Sequence, residues 1–434
     1  MNEQEYKKMI QRCVRCSLCK WIPQLQIKSQ KYATICPSVD MFNFHSYSAG
    51  GRIVIALALE MGRLKPSQEL VDIIYKCTEC GGCAVSCKFL NTLEPLEIIV
   101  KLRKKLVSLG YGPMPKQQQY IESIKRNNNP YNEPHEKRLD WLPNDIKIDP
   151  NAKVLYFVGC TSSYRRKEMA IAATRIMKAA GIAFNILQDE EYCCGSPILR
   201  TGDINSFEEI LNKNLDIIES KGIHTVVFSC AGCYDTFKVD YPLYRKYNFQ
   251  VLHTVEFFNE LIESGELKLT KDVPLTVTYH DPCHLGRNAE RYEDWDGDIV
   301  PLMPLVSINI PPKPKRTGAK GIYDAPRNIL SKIPGLKFIE MERIQEYAYC
   351  CGAGAGVKSA FPEFALNTAK TRIEEAEESG ADFLVSACPF CSTNLQDGIN
   401  DSKSAIKYYD INELILMAIG LEPEKIKQPT AEVT

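Results

Sequence analysis

Long apolar runs are missing from this 434-residue sequence. The longest, Ile53–Leu59 and Leu414–Leu421, fall well short of the roughly 20 residues that cross a bilayer, so no direct membrane span is expected. An excess of one charge is missing too. The 53 Lys and Arg stand against 54 Asp and Glu, a net charge of −1, which argues against nucleic acid as a partner. The first residues, Met1 to Tyr6, lack the basic segment and apolar stretch of a secretory signal. A cytosolic protein is expected, with any membrane association made through a partner chain. Nucleotide-binding sequence is absent as well. Gly352-Ala-Gly-Ala-Gly356 follows a cysteine pair and lacks the full fingerprint. Small residues there would let backbone pass close to a bulky group. No flavin or NAD is expected in this chain.

Cysteine, by contrast, is abundant: there are eighteen, all in spaced groups. A reducing compartment disfavours disulfides, so ligation of metal or of clusters is the better reading. Eight lie within residues 1–130. Cys13, Cys16 and Cys19 recur at three-residue intervals, with Cys36-Pro37 further on. Cys77, Cys80, Cys83 and Cys87 follow the spacing Cys-x-x-Cys-x-x-Cys-x-x-x-Cys. In bacterial ferredoxins three such thiolates wrap one 4Fe–4S cubane and the fourth serves the other. Crossed ligation of two cubanes is therefore predicted, one by Cys13, Cys16, Cys19 and Cys87, the other by Cys36, Cys77, Cys80 and Cys83. The long insertion before Cys36, and Lys88 where proline is common, depart from the pattern. Zinc is the competing occupant of Cys-x-x-Cys pairs. Helices are read over Ser48–Arg63, Val71–Lys76 and Leu96–Leu109. With them the region resembles the helical two-cluster modules of succinate dehydrogenase iron–sulfur subunits.

Gly110–Asp149 is rich in Pro, Asn, Gln and charge and reads as a surface connection with a short helix near Gln117–Lys125. His135 and Trp141 are expected to pack against a neighbouring domain. The basic run Lys101-Leu-Arg-Lys-Lys105 reads as a solvated helical face, one able to dock an acidic redox partner.

The other ten cysteines fall into two sets of five. Each set opens with a hydrophobic strand ending at one cysteine, Cys160 or Cys283. A Cys-Cys-Gly triplet follows, Cys193-Cys194-Gly195 or Cys350-Cys351-Gly352. Each closes with a second strand running into Cys-x-x-Cys, Cys230/Cys233 or Cys388/Cys391. The spacing from Cys194 to Cys230 is 36 and from Cys351 to Cys388 is 37. Strands are read at Val154–Val158, Phe184–Leu187, Thr225–Phe228, Leu275–Tyr279 and Phe383–Val385. Helices are read at Tyr164–Ala180, Phe207–Ser220 and Phe361–Ser379. That βαβ order implies parallel sheets with right-handed crossovers, whose ligands sit beyond the carboxyl ends of the strands. The expected organisation is an α+β multidomain chain. It comprises a helical ferredoxin domain (1–130), a linker (131–152) and two repeated α/β domains (153–270 and 271–434). The second repeat carries an insertion that includes the basic, proline-rich Ile310–Gly318, read as solvated surface or as a rim for a substrate or partner.

These sets resemble the paired CCG domains of the catalytic subunit of heterodisulfide reductase, and the helical front resembles the fused form of that enzyme. The resemblance covers nearly the whole chain. It implies that all ten cysteines, Cys160, Cys193, Cys194, Cys230, Cys233, Cys283, Cys350, Cys351, Cys388 and Cys391, hold two noncubane 4Fe–4S clusters, with a disulfide split between them into two thiols. Related CCG proteins are electron-transfer subunits of dehydrogenase, flavoprotein–quinone and benzoyl-CoA reductase complexes, so a relay without its own substrate is the alternative. Either role implies a redox partner chain: a flavoprotein, a ferredoxin or a membrane cytochrome subunit. His280 and His284 flank Cys283 and are candidate proton donors to a leaving thiolate, or hydrogen-bond donors that tune a cluster. Arg287 is a candidate for an anionic substrate group, though pairing with a carboxylate such as Asp281 is the favoured expectation.

Overall fold

The computed structural model describes residues 3–88, 93–293, 295–303 and 306–424. Residues 1–2 and 89–92 of the expected 1–130 region lie outside the described residues. So do 294, 304–305 and 425–434 of the expected 271–434 region.

The N-terminal third is helical. Helices Glu3–Gln11, Ala49–Glu60, Gln68–Tyr75 and Pro95–Ser108 enclose a small core that includes Tyr6, Ile53, Ile74, Leu102 and Leu106. Ser48 begins the second helix by accepting a hydrogen bond from the Gly51 amide at 3.0 Å, and Ser67 begins the third through the Leu70 amide at 3.3 Å. Pro95 opens the fourth, where its missing N–H costs nothing. Gly51 is obligatory, because a Cβ there would stand 2.1 Å from the His45 carbonyl oxygen.

Two parallel sheets follow. The first holds β1 (Val154–Phe157), β2 (Thr225–Phe228) and β3 (Gln250–His253), in that order. Next come β4 (Thr276–Tyr279), an antiparallel hairpin of β5 (Asp298–Met303) and β6 (Val306–Ile310), then β7 (Lys337–Phe338), β8 (Phe383–Ser386) and β9 (Lys407–Asp410). The second sheet has the order β7-β4-β8-β9, parallel throughout. In β1, β2, β4 and β8 only the first residue is partly open and the next three are buried. This is the mark of a sheet covered by helices on both faces. Helices Lys167–Ala179, Ile204–Ser220 and Pro362–Glu378 stand where the periodicity placed them.

Three differences from the sequence reading have physical causes. Phe184–Leu187 is not a strand. Only Asn185 pairs, donating to the Val154 carbonyl and accepting from the Tyr156 amide, both at 2.8 Å. In the second repeat the equivalent place is taken by β7, itself two residues long. The strands β3 and β9 carry no strand signal in the sequence. Both are short and run straight into a helix, and their last residues, His253 and Asp410, are the N-caps of those helices, with Glu256 and Glu413 closing matching capping boxes. The basic stretch Ile310–Gly318 leads out of the β5–β6 hairpin, which forms a sheet of its own.

The segment between the helical and α/β regions is packed rather than merely draped. Its helix is Pro115–Asn127, and Ile121, Ile124, Trp141 and Ile146 enter the same core as β1 and β2. Trp141 meets Tyr156 edge-on at 6.4 Å. His135 Nε2 lies 2.6 Å from the Asp189 carbonyl. No helix among the described residues is long and apolar enough to cross a membrane.

Arg103 ties the regions together. It is fully buried and donates to the carbonyls of Arg200 (2.8 Å) and Ala355 (3.2 Å), and to those of Ile74, Tyr75 and Cys77 (3.3, 3.2 and 2.7 Å). One guanidinium thus fastens the helical region to both α/β repeats. The basic face expected at Lys101–Lys105 is therefore not a free docking face. Lys101 pairs with Glu3 at 3.4 Å, Lys105 with Glu60, and Lys104 bonds Tyr244 Oη at 3.0 Å.

Candidate iron–sulfur centres

All eighteen cysteines carry free thiols. The front group forms where helix Gly82–Lys88 returns to the N-terminal loop. There Cys19, Cys16 and Cys13 act electrostatically on Cys87. Burial, reinforced by those neighbours, pushes the Cys87 thiol up to about 12. The Gly50 amide, at the start of helix Ala49–Glu60, donates to Cys19 Sγ at 3.2 Å. A helix start offers free N–H groups and positive dipole to a thiolate.

The second group surrounds a hollow of about 350 Å³ whose walls include Cys36, Cys77, Cys80 and Cys83. The donor set is four thiols in a space lined mostly by apolar and backbone atoms, which suits a cubane. Each group gathers the four cysteines that the spacing assigned to one cubane. Cys80 has a second neighbourhood: it packs against Cys283 and Cys350 of the second repeat. It stands in the wall between two cysteine groups.

In the α/β region every repeat cysteine is buried, at a strand's carboxyl end, in the loops facing it or, for Cys233 and Cys391, in the first turn of the helix that follows. Cys160 follows β1 and opens a short helix. Cys230 and Cys388 follow β2 and β8 and precede helices in the same way. Thiol contacts run through the first set in the order Cys160, Cys193, Cys194, Cys233, Cys230. They run through the second in the order Cys283, Cys350, Cys351, Cys391, Cys388. The two orders correspond position by position. In each, the second cysteine of the Cys-Cys pair sits between two other thiols that hold its own down, Cys194 to about 6 and Cys351 well below its ordinary range. The sets touch at one place, where Cys230 contacts Cys388.

Around the sulfurs lie buried cations. Arg287 Nη2 donates to Cys283 Sγ at 3.2 Å, its Nε to the Cys80 carbonyl at 2.6 Å, and its Nη1 to the carbonyls of Glu346 and Ala348 at 2.8 and 2.7 Å. The expected pairing of Arg287 with Asp281 does not occur. Asp281 is held instead by Arg327, at 2.8 and 3.0 Å, and by the Gln345 amide. Packing decides this, since Arg287 faces inward toward the helical region.

His280 is fully buried. Its Nδ1 accepts from Arg372 Nε at 3.1 Å. A ring nitrogen of His280 and the sulfurs of Cys351 and Cys391 lie within 4.8 Å of one another. Arg372 is fixed in turn by Glu375 at 2.6 Å. His284 is placed differently. Its Nδ1 meets Asp235 of the first repeat at 2.5 Å, and Asp235 also accepts from Arg200 at 2.9 Å. Asp235 and Arg200 line a polar hollow of about 290 Å³ together with Asp240, Tyr292 and Arg316. The two histidines that flank Cys283 in the sequence thus serve separate environments.

Two further groups carry no sequence signal. Arg138, in the connecting segment, reaches Cys160 Sγ at 4.0 Å and pairs with buried Glu191 at 2.5 Å. It does for the first set what Arg287 does for the second. His253, at the end of β3, lies against the carbonyls of Ser229 and Ala387, the residues before Cys230 and Cys388. Only the matching positions of β3 and β9 in the two sheets could have drawn attention to it.

Cysteine-lined sheet rims behind a helical module with two four-cysteine groups define an iron–sulfur electron-transfer protein of the oxidoreductase class. Comparison with known proteins agrees. Residues 9–90 match a family described as a 4Fe-4S dicluster domain, and residues 154–238 and 277–396 match the cysteine-rich CCG domain. The dihydromethanophenazine:CoB–CoM heterodisulfide reductase of Methanosarcina mazei contains a chain 36% identical to this one over 422 residues, with 94% of each covered. The present chain therefore belongs to the heterodisulfide reductase family of CCG-domain iron–sulfur proteins. A component of the CoM/CoB fumarate reductase of Methanothermobacter marburgensis is 31% identical, over 80% of this chain and 61% of that protein. An EtfAB:quinone oxidoreductase of Syntrophomonas wolfei is 28% identical over 80% of this chain and 47% of that protein. A protein of Helicobacter pylori, known by its crystal structure, shares the fold with a TM-score of 0.53 at 12% identity, covering 97% of this chain and 74% of that one.

Proposed function

We propose that the chain reduces a small-molecule disulfide to two thiols. Four cluster sites would serve it: two cubanes held by Cys13, Cys16, Cys19 and Cys87 and by Cys36, Cys77, Cys80 and Cys83, and two noncubane clusters held by the two sets of five. Such clusters supply one-electron steps at potentials the protein tunes through charge, hydrogen bonding and exposure. The observation that carries the reading is the contact of Cys230 with Cys388. It brings two matching sets face to face, so the two halves of one disulfide can be handled by different sets. The overall step takes up two electrons and two protons, breaks one S–S bond and forms two S–H bonds.

The chain's own residues order the path. Cys19 of the front group acts on Cys83, Cys80 joins the hollow to Cys283 and Cys350, and Cys388 passes to Cys230. The second repeat is thus reached first and the first repeat last. Arg287 and Arg138 place positive charge beside Cys283 and Cys160, which favours added negative charge there. His280, with a ring nitrogen near Cys351, is the better placed of the two histidines to hydrogen-bond a departing thiolate. His284 acts on Asp235 instead.

The burial of all ten repeat cysteines favours a second reading, in which the same path ends in a partner chain and no disulfide reaches the sulfurs. One experiment separates them. Anaerobic protein with its full iron complement is given reduced viologen and a panel of disulfides, and free thiol is counted. Paramagnetic resonance is recorded with and without added thiol. Thiol release with a thiol-dependent signal supports disulfide reduction. Intact clusters that pass electrons but show neither sink it in favour of the relay. Zinc in place of iron defeats both.

A further inference from the structure

One face of the helical region has a composition unlike the rest of the chain. Between Tyr6 and Val39 there are seven basic residues, Lys7, Lys8, Arg12, Arg15, Lys20, Lys28 and Lys31, and no Asp or Glu. The whole chain is close to neutral, with a net charge of −1. Some of the seven are occupied: Lys7 lies 3.8 Å from Glu60, and Lys31 lies 2.6 Å from Glu374 and also bonds Glu378. Arg15, Lys20 and Lys28 make no ion pair within 4 Å among the described residues. Arg15 and Lys20 bear on His45, whose imidazole is lowered first by burial and then by these two charges. His45 faces Cys19 Sγ across Gly50, so both charges border the front group.

The same loops expose Cys16, the most open of the eighteen cysteines, where the others are partly exposed or buried. The same segment, residues 14–25, also exposes apolar side chains. Val14 is 72% exposed, Leu25 83% and Trp21 43%. Several basic residues elsewhere are taken up internally, although Lys313 lies only over the Trp295 ring and Lys315 makes no ion pair within 4 Å among the described residues. Lys101 and Lys105 are paired with Glu3 and Glu60, Arg316 meets Glu97 at 3.6 Å, and Lys320 bonds Glu293. Unpaired positive charge therefore collects where a cluster edge comes nearest to solvent. Electron transfer weakens steeply with distance, so a donor must approach this edge closely. A positive rim steers a negative partner and fixes its orientation, and a small apolar centre supplies the contact.

We propose that electrons enter at Cys16 through a surface formed by Val14, Arg15, Lys20, Trp21, Leu25 and Lys28, and that its occupant is an acidic redox protein presenting carboxylates around its own redox group. This rests on the front group holding a cluster. It does not depend on what the chain reduces. Basic and apolar side chains together also suit an anionic lipid surface, but headgroups laid over Cys16 would insulate the most exposed cluster edge, so the protein partner is favoured.

The test uses the anaerobic, iron-loaded full chain and a small acidic ferredoxin as probe. Oxidised ferredoxin is titrated by calorimetry, which needs no electron flow, and reduced ferredoxin is mixed by stopped flow. The association rate is expected to fall about tenfold between low salt and physiological ionic strength. Lys20→Glu with Lys28→Glu should weaken binding and slow the rate at low salt by about tenfold, with iron content and cluster spectra unchanged. Lys20→Gln with Lys28→Gln should give a smaller loss in the same direction and serves if the reversal fails to fold. Lys313→Glu, on the other basic stretch, should change neither. Salt-independent binding, or full binding by both double variants, overturns the proposal. So does Lys20- and Lys28-dependent binding to vesicles rich in phosphatidylserine without any effect on ferredoxin. Disulfide turnover with viologen is measured on the same variants. Its absence would count against the proposed reaction alone.

Discussion

Arg103 offers the sharpest test of how the helical region is held to the sheets. Its guanidinium reaches five carbonyls from the segments around Ile74–Cys77, Arg200 and Ala355 and lies 4.6 Å from the Tyr75 ring centroid. It also stands 2.9 Å from Glu79 Oε1, yet neither carboxylate oxygen of Glu79 has a hydrogen bond. Burial pushes the Glu79 carboxyl up, with Arg103 only partly opposing it. Arg103→Met keeps the stem but strands the carbonyls. Hydrogen bonds to a charged donor are worth about 1.5–3 kcal/mol each. They do not add independently, so a total loss of about 3–5 kcal/mol is expected, in the range for breaking a buried ionic contact. Glu79→Gln should cost under about 1 kcal/mol, because it removes a charge that burial already disfavours. The double variant should resemble Arg103→Met alone. Anaerobic urea transitions give the stabilities, and proteolysis in the segment after residue 110 reports release of the helical region. If Glu79→Gln proves as damaging as Arg103→Met, the ion pair holds the regions together and the carbonyl account is refuted.

Other outcomes follow from single contacts. Arg287→Met removes the donor to Cys283 Sγ. It should lower the midpoint potential of one cluster by about 60 mV, a tenfold step for one electron, while the front-group signal stays unchanged. A redox titration that moves every signal equally would contradict it. Gly51→Ala would set a methyl 2.1 Å from the His45 carbonyl and displace the helix start that bonds Cys19. Loss of the front cluster's spectrum, with the α/β region still folded by circular dichroism, is expected, and an unaltered spectrum would show the helix start to be dispensable. Burial holds the His253 imidazole at about 4, below its ordinary 6.5, and its Nδ1 accepts the Val255 amide only when unprotonated. The unfolded chain then binds a proton that the folded chain refuses between pH 6.5 and 4. Stability from this group is complete above pH 6.5 and is lost as pH falls, by up to about 1.4 kcal/mol per unit. His253→Asn keeps an N-cap and should flatten that slope between pH 6.5 and 4. A slope equal to the parent's would place the titration elsewhere.

Much of the molecule could be read from residue order. Cysteine spacing reflects local geometry: three-residue steps wrap a chain around a small group, and strand-terminal cysteines mark the rim of a parallel sheet. For that reason the two groups of four cysteines and the correspondence of the two sets of five were visible before any coordinates, as were the main strands and helices. The reading failed where an element is too short to show a period. Phe184–Leu187 has strand composition but pairs through Asn185 alone, while β3 and β9 hide in the few residues ahead of a capped helix.

Only the tertiary structure decided how the groups face one another. Nothing in the order of residues tells that Cys230 meets Cys388, that Cys80 stands between the helical hollow and Cys283, or that Arg138 from the connecting segment attends Cys160. Nor does it tell that Asp281 goes to Arg327 and leaves Arg287 to the sulfur. These contacts join residues far apart in sequence. They are fixed by how three regions bury their apolar faces against each other, and spacing along a chain reports local periodicity but carries no record of that docking.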